Sequence, residues 1–150
     1  MKGKYFLDTN VLVYTFDVSH PAKQKRASEL VADALLENKG IISYQVVQEF
    51  LNVATKKFAT PMSPLDANLY FEQVLMPLCD FYPDSEFYQF ALTLKHQIRF
   101  SFYDSLIVAA ALKSHCKILY SEDMQDGQEI GDLVIRNPFD GVVRRRASTW

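Results

Sequence analysis

Four acidic residues carry the chemistry that this sequence suggests: Asp8, Glu49, Asp104 and Asp123. Asp8 follows the apolar run Tyr5-Phe6-Leu7. Glu49 lies in the second turn of the helical pattern after Ile41-Ile42-Ser43. Asp104 lies in the first turn of an apolar helix that begins at Ser101, and Asp123 stands just past Ile118-Leu119-Tyr120. Taken singly, each has an ordinary role. Asp8 caps a helix, Ser101-Phe102-Tyr103-Asp104 is a capping box with Asp in place of Glu, Glu49 is a solvated face residue, and Asp123 closes an Asx-type turn. Taken together, they are four carboxylates at the same kind of place, spread over 115 residues, with no basic residue beside them in sequence. Crowded like charges raise one another's pKa and destabilise the fold, and a divalent cation removes that penalty.

Carboxylate oxygens are hard ligands and select Mg²⁺ or Mn²⁺ over zinc. The three histidines, His20, His96 and His115, are scattered, with no HExxH pattern. The two cysteines, Cys79 and Cys116, lie 37 residues apart and form neither a CxxC motif nor a disulfide framework, which fits a reducing compartment. GxGxxG and P-loop signatures are absent, so a nucleotide cofactor is unsupported. An acid cluster without a nucleophile, a histidine base or a cofactor loop suits phosphodiester hydrolysis, in which Mg²⁺ activates water and offsets charge on the attacked phosphate.

Those acids need a frame. Short apolar runs alternate with stretches of 3.6-residue period: strands at Tyr5–Leu7, 41–43, 78–81, 118–120 and 133–135, with helices between them. Pro21 opens a helix carrying Ala27, Leu30, Val31, Ala34 and Leu35, which Gly40 ends. Ser63 caps one carrying Ala67, Tyr70, Phe71, Val74 and Leu75, and Asp84 caps another. The stretch Leu106 to Leu112 is apolar nearly all round, so its helix is buried on several sides. This alternation predicts an α/β fold with a mainly parallel sheet of four or five strands and helices on both faces, a three-layer α/β/α arrangement. Strand C-termini then share one edge, where sites of such folds lie.

With 150 residues the chain holds one domain, read as residues 1–140 followed by a basic tail, 141–150. Its 49% apolar and 23% charged residues exclude wholesale disorder, and a net charge of −2 excludes a bulk polyanion binder of the histone type. No stretch approaches the ~20 apolar residues of a membrane span, and the first residues are too short a run for a signal peptide, so the expected location is cytoplasmic, with no membrane partner. Lys23, Lys25, Arg26, Lys56, Lys57 and Arg99 stand near helix ends, where they are solvated or flank a nucleic-acid backbone. Arg144-Arg145-Arg146 is a mobile basic arm or a solubilising tail.

Five stretches in order, Phe6 to Tyr14, Ser43 to Phe50, Ser101 to Ala111, Tyr120 to Met124 and Asn137-Pro138-Phe139, make the chain resemble the PIN-domain nucleases, specifically VapC-like ribonuclease toxins of prokaryotic toxin–antitoxin pairs. The resemblance implies a single PIN-like domain and a Mg²⁺- or Mn²⁺-dependent endoribonuclease that leaves 5′-phosphate and 3′-hydroxyl ends on RNA. It implies that Asp8, Glu49, Asp104 and Asp123 are both the catalytic and the metal-holding acids. Thr9, Asn10 and Ser121 match neighbouring polar positions that steady the carboxylates or a metal-bound water. It further implies a homodimer and a small antitoxin protein whose C-terminal segment covers the acids. Two positions depart from the pattern: Tyr103 stands where Trp is common, and Asp126 stands where His is expected, either as a further supporting acid or as a plain surface acid. A phosphoaspartate enzyme would need a second Asp where Asn10 stands. The alternative from another class is a non-catalytic PIN-like module that binds RNA or a protein partner.

Overall fold

Capping residues punctuate the chain and set where four of its helices begin. The computed structural model describes residues 3–141. Along the chain run β1 (Tyr5–Leu7), α1 (Thr9–Tyr14), α2 (Pro21–Glu37), β2 (Gly40–Ser43), α3 (Tyr44–Lys56) and α4 (Pro64–Tyr70). A π-helical turn (Phe71–Leu75) leads into α5 (Met76–Leu78), then β3 (Cys79–Phe81), α6 (Ser85–Ile98), α7 (Phe102–Lys113), β4 (Ile118–Tyr120), β5 (Glu129–Ile130) and β6 (Leu133–Arg136). Asp8, Ser63, Asp84 and Ser101 each accept a hydrogen bond from a backbone N–H of the helix they precede, so all four act as N-caps.

The strands form one sheet in the order β3-β2-β1-β4-β6-β5. All neighbours are parallel except β5, which returns antiparallel to β6. The chain starts at β1, winds outward through β2 to β3, then crosses back to β4 on the other side of β1. Right-handed crossovers therefore put α1 to α5 on one face of the sheet and α6 and α7 on the other. The packing agrees: α1 lies against α2 and α3, while α6 lies along α7. The winding reverses between β1 and β4, the kind of place where a parallel sheet opens a crevice at its strand C-termini.

Three local features depart from the sequence reading. The five anticipated strands are joined by a sixth, β5, whose two residues are too few to show a period of two. Asn38, not Gly40, ends α2 by taking the left-handed conformation (φ 55°). Gly40 has a packing reason instead: a Cβ there would lie 2.3 Å from the Ala34 Cβ and 2.7 Å from the Tyr5 ring. The helix after Ser63 is continuous only through the π turn, which sits just before Pro77. Proline donates no hydrogen bond, and its ring crowds the carbonyl four residues back, so a wider turn at that point relieves the backbone.

The core runs along both sheet faces through Phe6, Leu7, Ile42, Leu119 and Ile135, all fully buried. Many of the aromatics pack it: Phe50 stacks on Tyr70 with centroids 4.8 Å apart, and Phe16 and Phe58 close around them. In α7 every residue from Ser105 to Ala111 is buried, as its unbroken apolar run predicts. Among the described residues no helix is long and apolar enough to cross a membrane. The basic run Arg144 to Arg146 lies outside the described residues.

Candidate functional site

The caps that start the helices also aim the acids. Asp8 caps α1, and its Oδ1 accepts the Thr9 N–H at 2.8 Å. Its Oδ2 accepts the Ser121 hydroxyl, also at 2.8 Å, from the loop after β4. The residue is only 8% exposed. Burial pushes its carboxyl up to about 6; the Ser121 and Thr9 hydrogen bonds pull the other way, and the charges of Glu49 and Asp104 push it further up. Asp104 sits in the first turn of α7, its backbone N–H held by the Ser101 hydroxyl oxygen at 3.1 Å. Its carboxyl is also raised, chiefly by burial, with Ser101 opposing and Asp123 and Glu49 adding to the rise.

Once Asp8 fixes the start of α1, Thr9 and Asn10 fan out in opposite directions. The Thr9 hydroxyl donates to Glu49 Oε1 at 2.5 Å. The Asn10 amide donates to Asp123 Oδ2 at 3.0 Å. Glu49 is held from its own helix as well: Gln45 Nε2 donates to Glu49 Oε2 at 3.0 Å and to the Tyr103 carbonyl at 3.3 Å. The structure thus brings Asp8, Glu49, Asp104 and Asp123 into one electrostatic neighbourhood, with Thr9, Asn10 and Ser121 as hydrogen-bonding links between elements. Among the described residues, none of the four acids makes an ion pair.

A second cluster beside the site is absent from the sequence reading. Glu122, the neighbour of Asp123, accepts the Tyr14 hydroxyl at 2.8 Å and pairs with Lys23 at 2.5 Å. The Lys23 ammonium also lies 5.0 Å from the Tyr14 ring centroid and 5.7 Å from that of Phe139. Lys23 and Glu122 are 99 residues apart, so no local spacing reveals the pair. Of the cations considered as free flanks for RNA, Lys23 is therefore committed within the fold, and Arg26 donates to the Pro138 carbonyl at 3.2 Å. Asp126 is exposed, and its Oδ1 accepts the Asn137 N–H at 2.8 Å, fastening the loop beyond β4 to the end of β6.

The donor set suits a hard divalent cation. All four acids offer oxygen, and a carboxylate raised by burial gains from a cation what no side chain supplies. The Asn10 Oδ1 is buried with no hydrogen-bond partner, an oxygen left over beside Asp123. Among the described residues, no three His, Cys, Asp or Glu side chains form a ready-made cage. That is the ordinary situation for magnesium, which keeps several waters and binds through one or two carboxylates plus substrate phosphates.

The family model described as PIN domain matches residues 5–126. No curated protein matches the sequence. Several solved structures share the fold. A toxin–antitoxin complex from Klebsiella pneumoniae is 18% identical with a TM-score of 0.61, covering 90% of this chain and 98% of that one. VapBC2 from Rickettsia felis, bound to a promoter DNA fragment, is 15% identical with a TM-score of 0.59, covering 88% and 96%. VapC20 from Mycobacterium tuberculosis, described as a sarcin–ricin loop cleaving toxin, is 16% identical with a TM-score of 0.53, covering 80% and 90%.

Proposed function

The chain belongs to the PIN-domain family, and from that premise we propose that it is a Mg²⁺- or Mn²⁺-dependent endoribonuclease, the toxin of a toxin–antitoxin pair. The observation that carries this reading is Asp8. It is an acid buried at the strand C-termini, with Glu49 and Asp104 in its field and no cation paired to it. A fold that leaves such a carboxylate unpaired holds a standing electrostatic penalty, which a divalent ion and a substrate would relieve.

In this reading Asp8, Glu49, Asp104 and Asp123 would hold the ion between them, one or two directly and the others through its waters. When bound, Mg²⁺ or Mn²⁺ lowers the pKa of water and offsets charge on the phosphate under attack. The protein's own groups do the positioning. Thr9 fixes the carboxylate plane of Glu49, and Ser121 holds Asp8 at Oδ2 while the Thr9 N–H holds it at Oδ1. Asn10 orients Asp123 through its amide. Burial of Asp8 excludes bulk solvent from one side, which strengthens every charge interaction made there.

Two partners follow from the same proposal. A solved structure of this fold is described as a toxin–antitoxin complex, and an antitoxin's Arg or Lys placed over the acids would satisfy the same oxygens as the metal. A second copy of the chain is the other partner. The described residues leave Met76 and Tyr82 exposed around one apolar hollow with Tyr44 and Phe71, surface that association would cover. A cytoplasmic location accords with the free thiols Cys79 and Cys116. The deciding experiment incubates the purified chain with labelled structured and single-stranded RNAs in Mg²⁺, Mn²⁺ or EDTA and maps the cuts. Cleavage that survives EDTA, or that Asp104→Asn leaves intact, would sink the assignment. Light scattering and co-purification with the product of an adjacent gene test the two partners.

A further inference from the structure

Beside the acids lies a cavity of about 230 Å³, lined by Ser43, Gln45, Gln48, Tyr88, Phe102 and Tyr103 among others. It is smaller than the roughly 300–1,000 Å³ of a drug-sized ligand site, and suits one flat ring system rather than a whole nucleotide. Aromatic faces dominate its mouth: Tyr103 is 64% exposed, Tyr88 43% and Phe102 37%. These are large apolar surfaces for a monomer to leave in water at one spot. Inside stands a group with no partner. Ser43 is 3% exposed, and its hydroxyl makes no hydrogen bond, although Ser43 occupies the N-cap position of α3, where serine ordinarily bonds the helix backbone. A buried hydroxyl left unpaired carries an uncompensated desolvation penalty, so something that enters the cavity with a donor or acceptor edge is favoured there. Gln48 adds an exposed amide at the rim.

The cavity and the acids share a wall. Gln45 lines the cavity and donates one amide to both Glu49 and the Tyr103 carbonyl. Tyr103, also in the lining, is the residue before Asp104. Gln45 thus ties the cavity lining to Glu49, and Tyr103 ties it along α7 to Asp104.

We propose that this cavity is a base-binding subsite: it takes one unstacked nucleobase of a single-stranded RNA, next to the phosphate presented to the acids. Phe102 supplies the stacking face and Tyr103, whose ring stands at 70° to it, an edge contact, while Ser43 and Gln48 supply hydrogen bonds to the base edge. Aromatic stacking plus amide and hydroxyl contacts is how proteins read splayed bases. The inference rests on the nuclease reading above and adds to it the feature that chooses where the chain cuts.

The test compares wild type with Phe102→Ala and Ser43→Ala, none of the four acids being touched, with melting temperatures as a folding control. Cut positions are mapped on a single-stranded RNA of random sequence, with kcat and KM measured on one good site. In parallel, saturation-transfer NMR follows the four nucleoside 5′-monophosphates against each protein in EDTA, a readout that needs no cleavage. The expected result is a base preference at one position near the cut. Phe102→Ala flattens it and raises KM about tenfold or more, as loss of one stacking partner does. Ser43→Ala alters which base is preferred, with kcat of both variants within about twofold of wild type. Wild-type cleavage with an unchanged preference and KM in both variants overturns the subsite and leaves the nuclease standing. Absence of wild-type cleavage overturns the nuclease reading instead. The monophosphates then decide the cavity: a saturation-transfer signal that Phe102→Ala abolishes retains it, and no signal from the wild type overturns it. A dimer that Phe102→Ala dissolves in light scattering, with the cut pattern unchanged, assigns the cavity to a protein partner and overturns the base.

Discussion

Glu122 and Asp8 are acids on the same sheet edge, and the fold treats them in opposite ways. Glu122 is given Lys23 at 2.5 Å and the Tyr14 hydroxyl at 2.8 Å, and so is neutralised within the protein. Asp8 is more deeply buried and receives a hydroxyl and a backbone N–H, but no positive charge. The contrast is sharpest where chain neighbours separate: Glu122 turns to the lysine, while Asp123 turns to the Asn10 amide. A lysine placed one residue away shows that the absence of cations from the four acids is not a shortage of basic side chains nearby. Neutral donors fix a carboxylate's orientation without satisfying its charge. Cationic partners satisfy the charge and so remove the reason to bind an ion.

The largest effect expected from this contrast is on cleavage. Asp8→Asn and Asp104→Asn should each lower the rate of RNA cutting by at least about a hundredfold, the scale seen when one charge-stabilising group is removed from an active site. Wild-type rates in either variant would erase the distinction between the two kinds of acid.

Stability in metal-free buffer sharpens it next. In the unfolded chain Asp8 titrates near 3.8, and in the fold near 6. Between those values the unfolded state has released the proton while the native state keeps it, so native stability falls as pH rises through this window and is level above it. The loss attributable to Asp8 is on the order of 2 to 3 kcal/mol. Asp8→Asn abolishes that slope and can keep both hydrogen bonds, since the Ser121 hydroxyl can accept as well as donate. Urea unfolding in EDTA at pH 4 and pH 7, wild type against Asp8→Asn, measures the difference. Equal pH dependence in the two proteins would mean that Asp8 is not held raised.

Lys23→Met probes the other side of the comparison. It leaves Glu122 half-buried without its cation, which should cost about 1–2 kcal/mol of stability, since both side chains retain some exposure. Cleavage should fall less than about tenfold, because none of the four acids loses a partner. A Lys23→Met protein that melts as wild type but cuts no RNA would reverse the roles assigned to the two clusters. The smallest effect belongs to Asp126. Replacing it with Ala removes one exposed hydrogen bond to Asn137 and should shift stability by about 1 kcal/mol or less, with cleavage within about twofold. A loss as large as that of Asp104→Asn would place Asp126 among the four.

The positions of Asp8, Asp104 and Asp123 were legible in the sequence because Asp8 and Asp123 follow apolar strands and Asp104 opens an apolar helix, and a parallel sheet gathers strand C-termini and the following helix N-termini on one edge. The caps at Ser63, Asp84 and Ser101 were legible for the same local reason. What escaped was non-local. The Lys23–Glu122 pair joins residues from α2 and the loop after β4, and no period or motif connects them. The Gln45 amide looks like any polar helix residue until Tyr103 is packed against it. β5 is too short to carry a pattern, and the π turn before Pro77 answers to backbone crowding, which hydrophobic spacing does not record.

The helix that carries Asp104 is walled in from Ser105 to Ala111. A segment with no solvent-facing side over two turns cannot fray on its own; its amide hydrogens exchange only when the whole molecule opens. Asp104 therefore stands at the tip of a rigid post driven through the middle of the protein. Whatever meets that carboxylate, nucleic acid or inhibitor, must do the bending itself, and the ordering cost of the encounter falls on the guest.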